Sequence, residues 1–142
     1  MLSARQVAAC TFAALVVAPP AALGGAAPVK LADPPVKPRM SEYRIRLDRG
    51  HTFVRLPLFE VRNTGKLRHE LVIVKTARTA TKLPVVNGQV VRRGFKAEVP
   101  LEPGEHHRIV FGKLRAGHYV LICDIPGHYQ KGMRRDFSVR AR

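Results

Sequence analysis

The chain has 142 residues, of which 46% are hydrophobic, so one folded domain is expected and a disordered chain is excluded. It carries 25 Lys and Arg against 10 Asp and Glu, which gives a formal net charge of +15. This excess predicts an anionic partner or surface, which the protein approaches by electrostatic attraction, or a charge that serves solubility alone. Because Trp is absent and Phe is scarce, the core must depend on Val, Leu and Ile, which favour strands.

The first 27 residues have the pattern of a secretory signal peptide. Arg5 precedes an apolar run at 7–17, which is followed by Pro and small residues. The run is too short to cross a bilayer, so we expect cleavage, a periplasmic or secreted protein, and no stable membrane span afterwards. An uncleaved anchor and a lipid-modified Cys10 are the alternatives. An exported protein rarely meets nucleic acid, so the charge predicts an acidic protein or an anionic membrane instead.

Short strands separated by turns dominate the remainder of the sequence. Residues 28–39 are Pro-rich and predict a loose arm before a domain at 40–142. Alternating or continuously apolar runs bounded by Gly, Pro and Asn predict strands; they lie at 43–47, 53–61, 71–74, 107–111, 117–123 and 136–140. Residues 76–97 are compatible with a short helix, a loop or both. About seven to eight strands without a long helix predict an all-β sandwich.

The predicted strand 117–123 leads into a loop that carries metal-binding side chains. Cys123, His128 and Met133 follow one another at intervals of five, among Pro and Gly residues that let the loop bend. Thiolate, imidazole and a weak thioether together suit copper in both oxidation states. Such a site needs a second imidazole. His69 is the best candidate because it opens the largely apolar strand predicted at 69–73, where a strand end would hold it rigidly.

Each of these ligands has a structural alternative. Cys123 is the only cysteine left after signal cleavage, so it cannot form an internal disulfide, but it can be a small core residue. His69 can be a surface residue at a strand start, and Met133 can fill the core beneath the loop. The other histidines, which are His51, His106, His107 and His118, are predicted to be structural.

At these residues the sequence resembles the cupredoxins, the type 1 blue copper proteins that include plastocyanin, azurin and plantacyanin. The matching positions are Asn63 with Gly65, His69, Pro103 with Gly104, Gly117 with Tyr119, and the Cys123–His128–Met133 loop. The resemblance implies a Greek-key β-sandwich with one copper ion at one end. It also implies that His128 lies near the surface, where electrons enter and leave.

Two features depart from the family pattern, namely the strongly basic charge and the residues that follow two of the ligands. Where several cupredoxins have an Asn after the upstream His and a hydroxyl residue after the Cys, this chain has Glu70 and Asp124. Two neighbouring carboxylates repel each other. We therefore expect them to face apart or to be neutralised by an arginine, and Arg68 and Arg134 are the nearest in sequence.

Two functions are consistent with such a site. The first is a monomeric one-electron carrier whose copper cycles between Cu(I) and Cu(II) and whose basic residues dock an acidic redox partner; these residues are Lys66, Arg68, Lys131, Arg134 and Arg135. The alternative is a periplasmic copper-handling protein, for buffering, carriage or resistance, with an acidic copper-handling partner. The arm at 28–39 lacks Met and His, which favours the carrier. No second His cluster is evident, so an enzyme is not predicted.

Overall fold

The structure is a computed structural model that describes residues 33–53 and 56–141. These residues form eleven strands and no helix: β1 (Arg39–Ser41), β2 (Arg44–Arg46), β3 (His51–Thr52), β4 (Leu58–Asn63), β5 (His69–Lys75), β6 (Val85–Val86), β7 (Gln89–Val90), β8 (Phe95–Leu101), β9 (His106–Val110), β10 (Gly117–Cys123) and β11 (Arg134–Val139). Within that part of the chain, no helix is long and apolar enough to cross a membrane. The predicted signal peptide lies outside the described residues.

Two sheets face each other across the main core. One has the strand order β2-β1-β4-β9 and the other has the order β3-β11-β10-β5-β8. Alternate residues of β4 point inward, so Phe59 and Val61 meet Tyr119, Leu121 and Phe137 of the opposite sheet. Such inward and outward alternation is what two sheets packed face to face require. The prediction of an all-β sandwich is confirmed.

The central strands β5 and β10 are buried on both faces. Their inner residues belong to the main core, and their outer residues, such as Val72 and Val120, belong to a second apolar cluster. Ala80, Leu83 and Val90 cover that outer face. The hydroxyl of Tyr129 donates to the Ala80 carbonyl at 2.7 Å and accepts from the Leu83 N–H at 3.0 Å. Residues 76–92 therefore form a cover, which explains why the residues 71–74 of β5 and 119–123 of β10 are continuously apolar.

The packed domain begins before Met40, inside the segment predicted to be a loose arm. Val36 is fully buried and forms a parallel bridge with Phe59. Its N–H donates to the Leu58 carbonyl at 2.9 Å, and its carbonyl accepts from the Glu60 N–H at 2.8 Å. The Pro residues around Val36 concealed this short pairing, because they remove the alternation by which a strand is recognised.

Candidate metal centre

Strand pairing places two of the predicted ligands side by side. His69 is the first residue of β5 and Cys123 is the last residue of β10. The two strands are antiparallel neighbours, with Cys123 opposite Leu71, so the start of one lies at the end of the other. The Sγ atom of Cys123 lies 3.9 Å from Nδ1 of His69. The position of both side chains is thus set by the backbone of a doubly buried sheet.

The third ligand comes from the loop between β10 and β11. His128 Nδ1 lies 3.4 Å from the Cys123 sulfur, and one ligand atom from each of His69, Cys123 and His128 lies within 4.8 Å of the other two. The His128 N–H donates to the Ile125 carbonyl at 3.0 Å, which tightens the loop. The structure therefore brings together three of the four residues that the sequence predicted as ligands.

Met133 closes the loop through backbone hydrogen bonds to His128 and Cys123. Its N–H donates to the His128 carbonyl and its carbonyl accepts from the Cys123 N–H, both at 3.0 Å. The side chain is fully buried in the main core cluster, which also contains Cys123. Gly132 adopts a φ of 119°, and a Cβ there would come within 3.0 Å of the Tyr43 carbonyl oxygen. A glycine is therefore needed for the turn that brings Met133 back.

Burial sets the protonation of the three ligands. It raises the pKa of the Cys123 thiol, while the N–H of Glu70 points at the sulfur from 3.4 Å and favours the thiolate. Burial also lowers the pKa of His69, and the charge of the nearby His128 lowers it further. Burial likewise lowers the pKa of His128, with the charge of Lys131 as the second cause. Neutral imidazoles keep a lone pair for a metal. A cation bound here would offset the cost of a buried thiolate.

The donor set fits copper. A thiolate and two neutral imidazoles form the trigonal arrangement of electron-transfer copper sites. The Nε2 atom of His69 is buried and has no hydrogen-bond partner among the described residues. Such a buried polar group is unusual. A metal bond at Nδ1, the nitrogen that faces the sulfur, would hold this ring in place without a bond at Nε2.

Arg92 neutralises the two carboxylates next to the ligands. Its guanidinium pairs with Asp124, with Glu98, and with Glu70 at 3.3 Å. Only 3% of the Asp124 side chain is exposed, and its Oδ1 has no hydrogen-bond partner among the described residues. Burial, and then the charge of Glu98, raise the pKa of Glu70. Arg92 therefore pairs with three carboxylates, and two of these, Glu70 and Asp124, directly follow a predicted ligand.

The sequence-based candidates for this role, Arg68 and Arg134, were wrong. Arg68 pairs with Glu102 at 3.3 Å, and Arg134 donates to the carbonyl of Tyr129. Arg92 follows β7 in the cover over the outer sheet face, the part of the chain that could not be assigned from sequence. No local pattern marks it, because its role depends on tertiary contacts.

The turn between β1 and β2 is a second feature that sequence reasoning missed. The Tyr43 ring meets the His128 ring edge-on, with 5.5 Å between centroids, and the Lys131 ammonium lies 4.3 Å from the Tyr43 centroid. Glu42 accepts from the N–H groups of Lys66 and Leu67, the latter at 2.9 Å. This turn therefore contacts the segments that carry both histidine ligands.

Two of the other histidines, His118 and His107, have polar contacts away from the cluster. His118 bridges the carbonyl of Thr76 at 2.8 Å and the carboxylate of Asp136 at 2.9 Å. His107 lies 3.4 Å from Glu105. Neither belongs to a group of metal-binding side chains among the described residues.

A β-sandwich with one Cys and two His converging at one end defines the class of blue copper proteins called cupredoxins. The chain belongs to the sulfocyanin family within this class, because the sulfocyanin (SoxE) domain matches residues 54–141. The cofactor of cupredoxins is one copper ion. No curated protein matches the chain significantly.

Solved structures support the same fold. Dithionite-reduced auracyanin from Roseiflexus castenholzii is 22% identical, with a TM-score of 0.55 over 77% of this chain and 98% of that one. Auracyanin B is 19% identical, with a TM-score of 0.51 over 78% and 91%. A multicopper oxidase from Pediococcus acidilactici is 22% identical, with a TM-score of 0.52 over 80% of this chain but 28% of the oxidase. These likenesses concern the fold.

The contacts of Arg92 lead to a prediction about stability. Arg92→Gln should lower the free energy of unfolding by about 1–3 kcal/mol, since it leaves the buried Asp124 carboxylate without its cation. Urea unfolding of the metal-free protein measures this change. The matched control is Arg93→Gln, which removes the same charge from an exposed neighbour and should change stability by less than about 0.5 kcal/mol. Equal effects of the two variants would contradict the role of Arg92.

Proposed function

We propose that the protein is an exported, monomeric one-electron carrier whose copper is bound by Cys123, His69 and His128, with Met133 as a weak axial ligand. The observation that carries this proposal is the convergence of one buried thiol and two imidazoles within 4.8 Å. When bound, copper would supply a single reversible electron. The residues of the chain would fix its coordination and limit the access of water.

The placement of the ligands favours electron transfer over other copper chemistry. Two ligands sit on the paired ends of β5 and β10, and the third is held by a hydrogen-bonded loop. A site held this firmly allows little movement between Cu(I) and Cu(II), which lowers the cost of each transfer. Among the described residues, this is the only group of three metal-binding side chains, and an oxidase needs further copper ligands. The export signal proposed for residues 1–27 would place the carrier outside the cytoplasm.

His128 is the proposed point of electron exchange. It is only half-buried, whereas Cys123 and His69 are buried. A cleft of about 470 Å³ lies beside it, with Leu67 and Pro126 in its wall. Lys66, Arg68 and Lys131 are exposed around this end. We propose that these three cations attract an acidic redox partner, although Arg68 also forms a surface pair with Glu102. Arg134 and Arg135 are left out because they donate to backbone carbonyls.

The copper–thiolate bond provides the direct test of the site. The chain from Pro28 onward, loaded with one equivalent of Cu(II), should show an intense visible absorption that a mild reductant bleaches reversibly. Cys123→Ser should abolish this absorption, because it removes the thiolate donor. His107→Gln, a change outside the cluster, should keep it. A faint absorption that Cys123→Ser leaves unchanged would contradict the proposal.

Substitution of Met133 tests its role as axial ligand. Met133→Gln should keep the visible absorption and lower the reduction potential by tens of millivolts, because an amide oxygen is a harder ligand and favours Cu(II). A tenfold change in relative affinity corresponds to about 59 mV for one electron. Cyclic voltammetry measures the shift, and Met133→Leu is the size-matched control without a donor atom. If both variants keep the wild-type potential, Met133 is a core residue and not a ligand.

The docking proposal predicts a charge-dependent rate. The triple variant Lys66→Gln, Arg68→Gln and Lys131→Gln should be oxidised by hexacyanoferrate(III) at least several-fold more slowly than wild type at low salt, and the difference should shrink at high salt. Stopped-flow spectroscopy measures both rates. Lys113→Gln, Arg115→Gln and Arg140→Gln remove the same charge near the start of β10, about 20 Å from the site. The docking role would be refuted if this control slowed oxidation equally.

A further inference from the structure

A row of three arginines and one histidine crosses the whole outer face of the four-stranded sheet. Register pairs Arg46 with Arg39, Arg39 with Arg62, and Arg62 with His106, one residue from each strand of the order β2-β1-β4-β9. We call these four residues the arginine row. Three strand spacings of roughly 4.8 Å make the row about 14 Å long.

The arginine row faces solvent and has no internal counter-charge. All four residues are exposed, whereas their strand neighbours Met40 and Ile45 point into the core. None of the three arginines forms an ion pair with a carboxylate of the described residues 33–53 and 56–141. The four strands contain a single acidic residue, Glu60, and it already pairs with Lys37 at 3.6 Å and Arg108 at 3.3 Å.

This arrangement opposes stability. Like charges placed directly opposite each other on neighbouring strands are destabilising, and here three arginines follow one another without an intervening acid. A bound anion would remove that repulsion. Guanidinium groups are especially suited to phosphate oxygens, which they hold through two parallel hydrogen bonds.

A shallow cleft on this face gives phosphate groups a place to enter. It has a volume of about 380 Å³, and Arg39, Arg62 and His106 contribute to its wall together with Lys37, Glu60 and Gly104. Gly104 has no side chain to fill the cleft, and a Cβ built there would meet nothing within 4 Å. Donors from three strands and from the segment before β1 thus surround one concave area.

We propose that the arginine row binds the phosphate headgroups of an anionic phospholipid bilayer. A protein partner is usually held by buried aromatic or aliphatic side chains at the centre of its interface. This face lacks them: Val110, on the edge strand β9, is its one strongly exposed large apolar side chain among the four strands. The exposed Tyr43 and Leu67 lie at the metal centre instead. A face that carries several cations suits a surface of many headgroups.

Membrane binding through this face is compatible with electron exchange at His128. The arginine row lies on the side of the sandwich, whereas the metal centre lies at one end of its strands. A protein held by the row would be concentrated at the membrane with His128 free to meet a partner. The proposal does not depend on copper and can be tested with the metal-free protein.

The experiment is co-sedimentation of the metal-free chain from Pro28 onward with vesicles of 30% phosphatidylglycerol in phosphatidylcholine. All strands of the described residues lie between 39 and 139, so this chain keeps them all. The triple variant Arg39→Gln, Arg46→Gln and Arg62→Gln should bind roughly 100-fold more weakly than wild type, from a contribution of about fivefold for each basic residue. The control Arg78→Gln, Arg93→Gln and Lys96→Gln removes three exposed cations elsewhere and should lose less than about fivefold.

Several results would overturn the proposal. Equal losses in the two triple variants would mean that net charge alone causes binding, and equal binding to pure phosphatidylcholine would exclude the headgroup charge. If the row variant lost binding to polyglutamate while keeping vesicle binding, the surface would be directed to an acidic protein. The thermal midpoint of the row variant should be no lower than that of wild type, because repulsion is removed. A large drop would assign the row a structural role instead.

Discussion

The antiparallel pairing of β5 with β10 is the constraint on which the rest of the structure depends. It places His69, the first residue of β5, beside Cys123, the last residue of β10, at one end of the sandwich. Because both strands are buried on both faces, neither end can shift without disturbing two apolar clusters. The loop that follows β10 then has only to carry His128 back to the same point. The geometry of the centre is therefore fixed by the sheet before any metal arrives.

The paired strand ends also place two carboxylates in a partly buried position. The residues after His69 and Cys123 are acidic, and repulsion between them would weaken the strand ends that hold the ligands. Arg92 reaches across from the cover over the outer sheet face and pairs with both, as well as with Glu98. The cover thus has two effects: it buries the outer residues of β5 and β10, and it compensates the carboxylates beside the metal centre.

The sequence predicted the parts of the protein that follow local rules. Strand alternation identified the sandwich, and the spacing of Cys123, His128 and Met133 identified the loop, since the turn residues between them limit where their side chains can go. His69 was found because it opens a continuously apolar run. Arg92 and Tyr43 were missed because nothing in their neighbourhood distinguishes them; their roles arise from contacts between segments far apart in the chain. Val36 was missed because the surrounding prolines resemble a linker, although its side chain packs in the core.

We propose that one thiolate and two imidazoles hold a single copper ion in a site that does not rearrange when the copper is reduced. Copper X-ray absorption of the wild-type protein in the Cu(I) and Cu(II) states tests this claim most directly. The account predicts one sulfur at a short distance and two imidazole nitrogens in both states, with nearly the same distances. Loss or gain of an imidazole on reduction, or a shell of nitrogen and oxygen without sulfur, would contradict it.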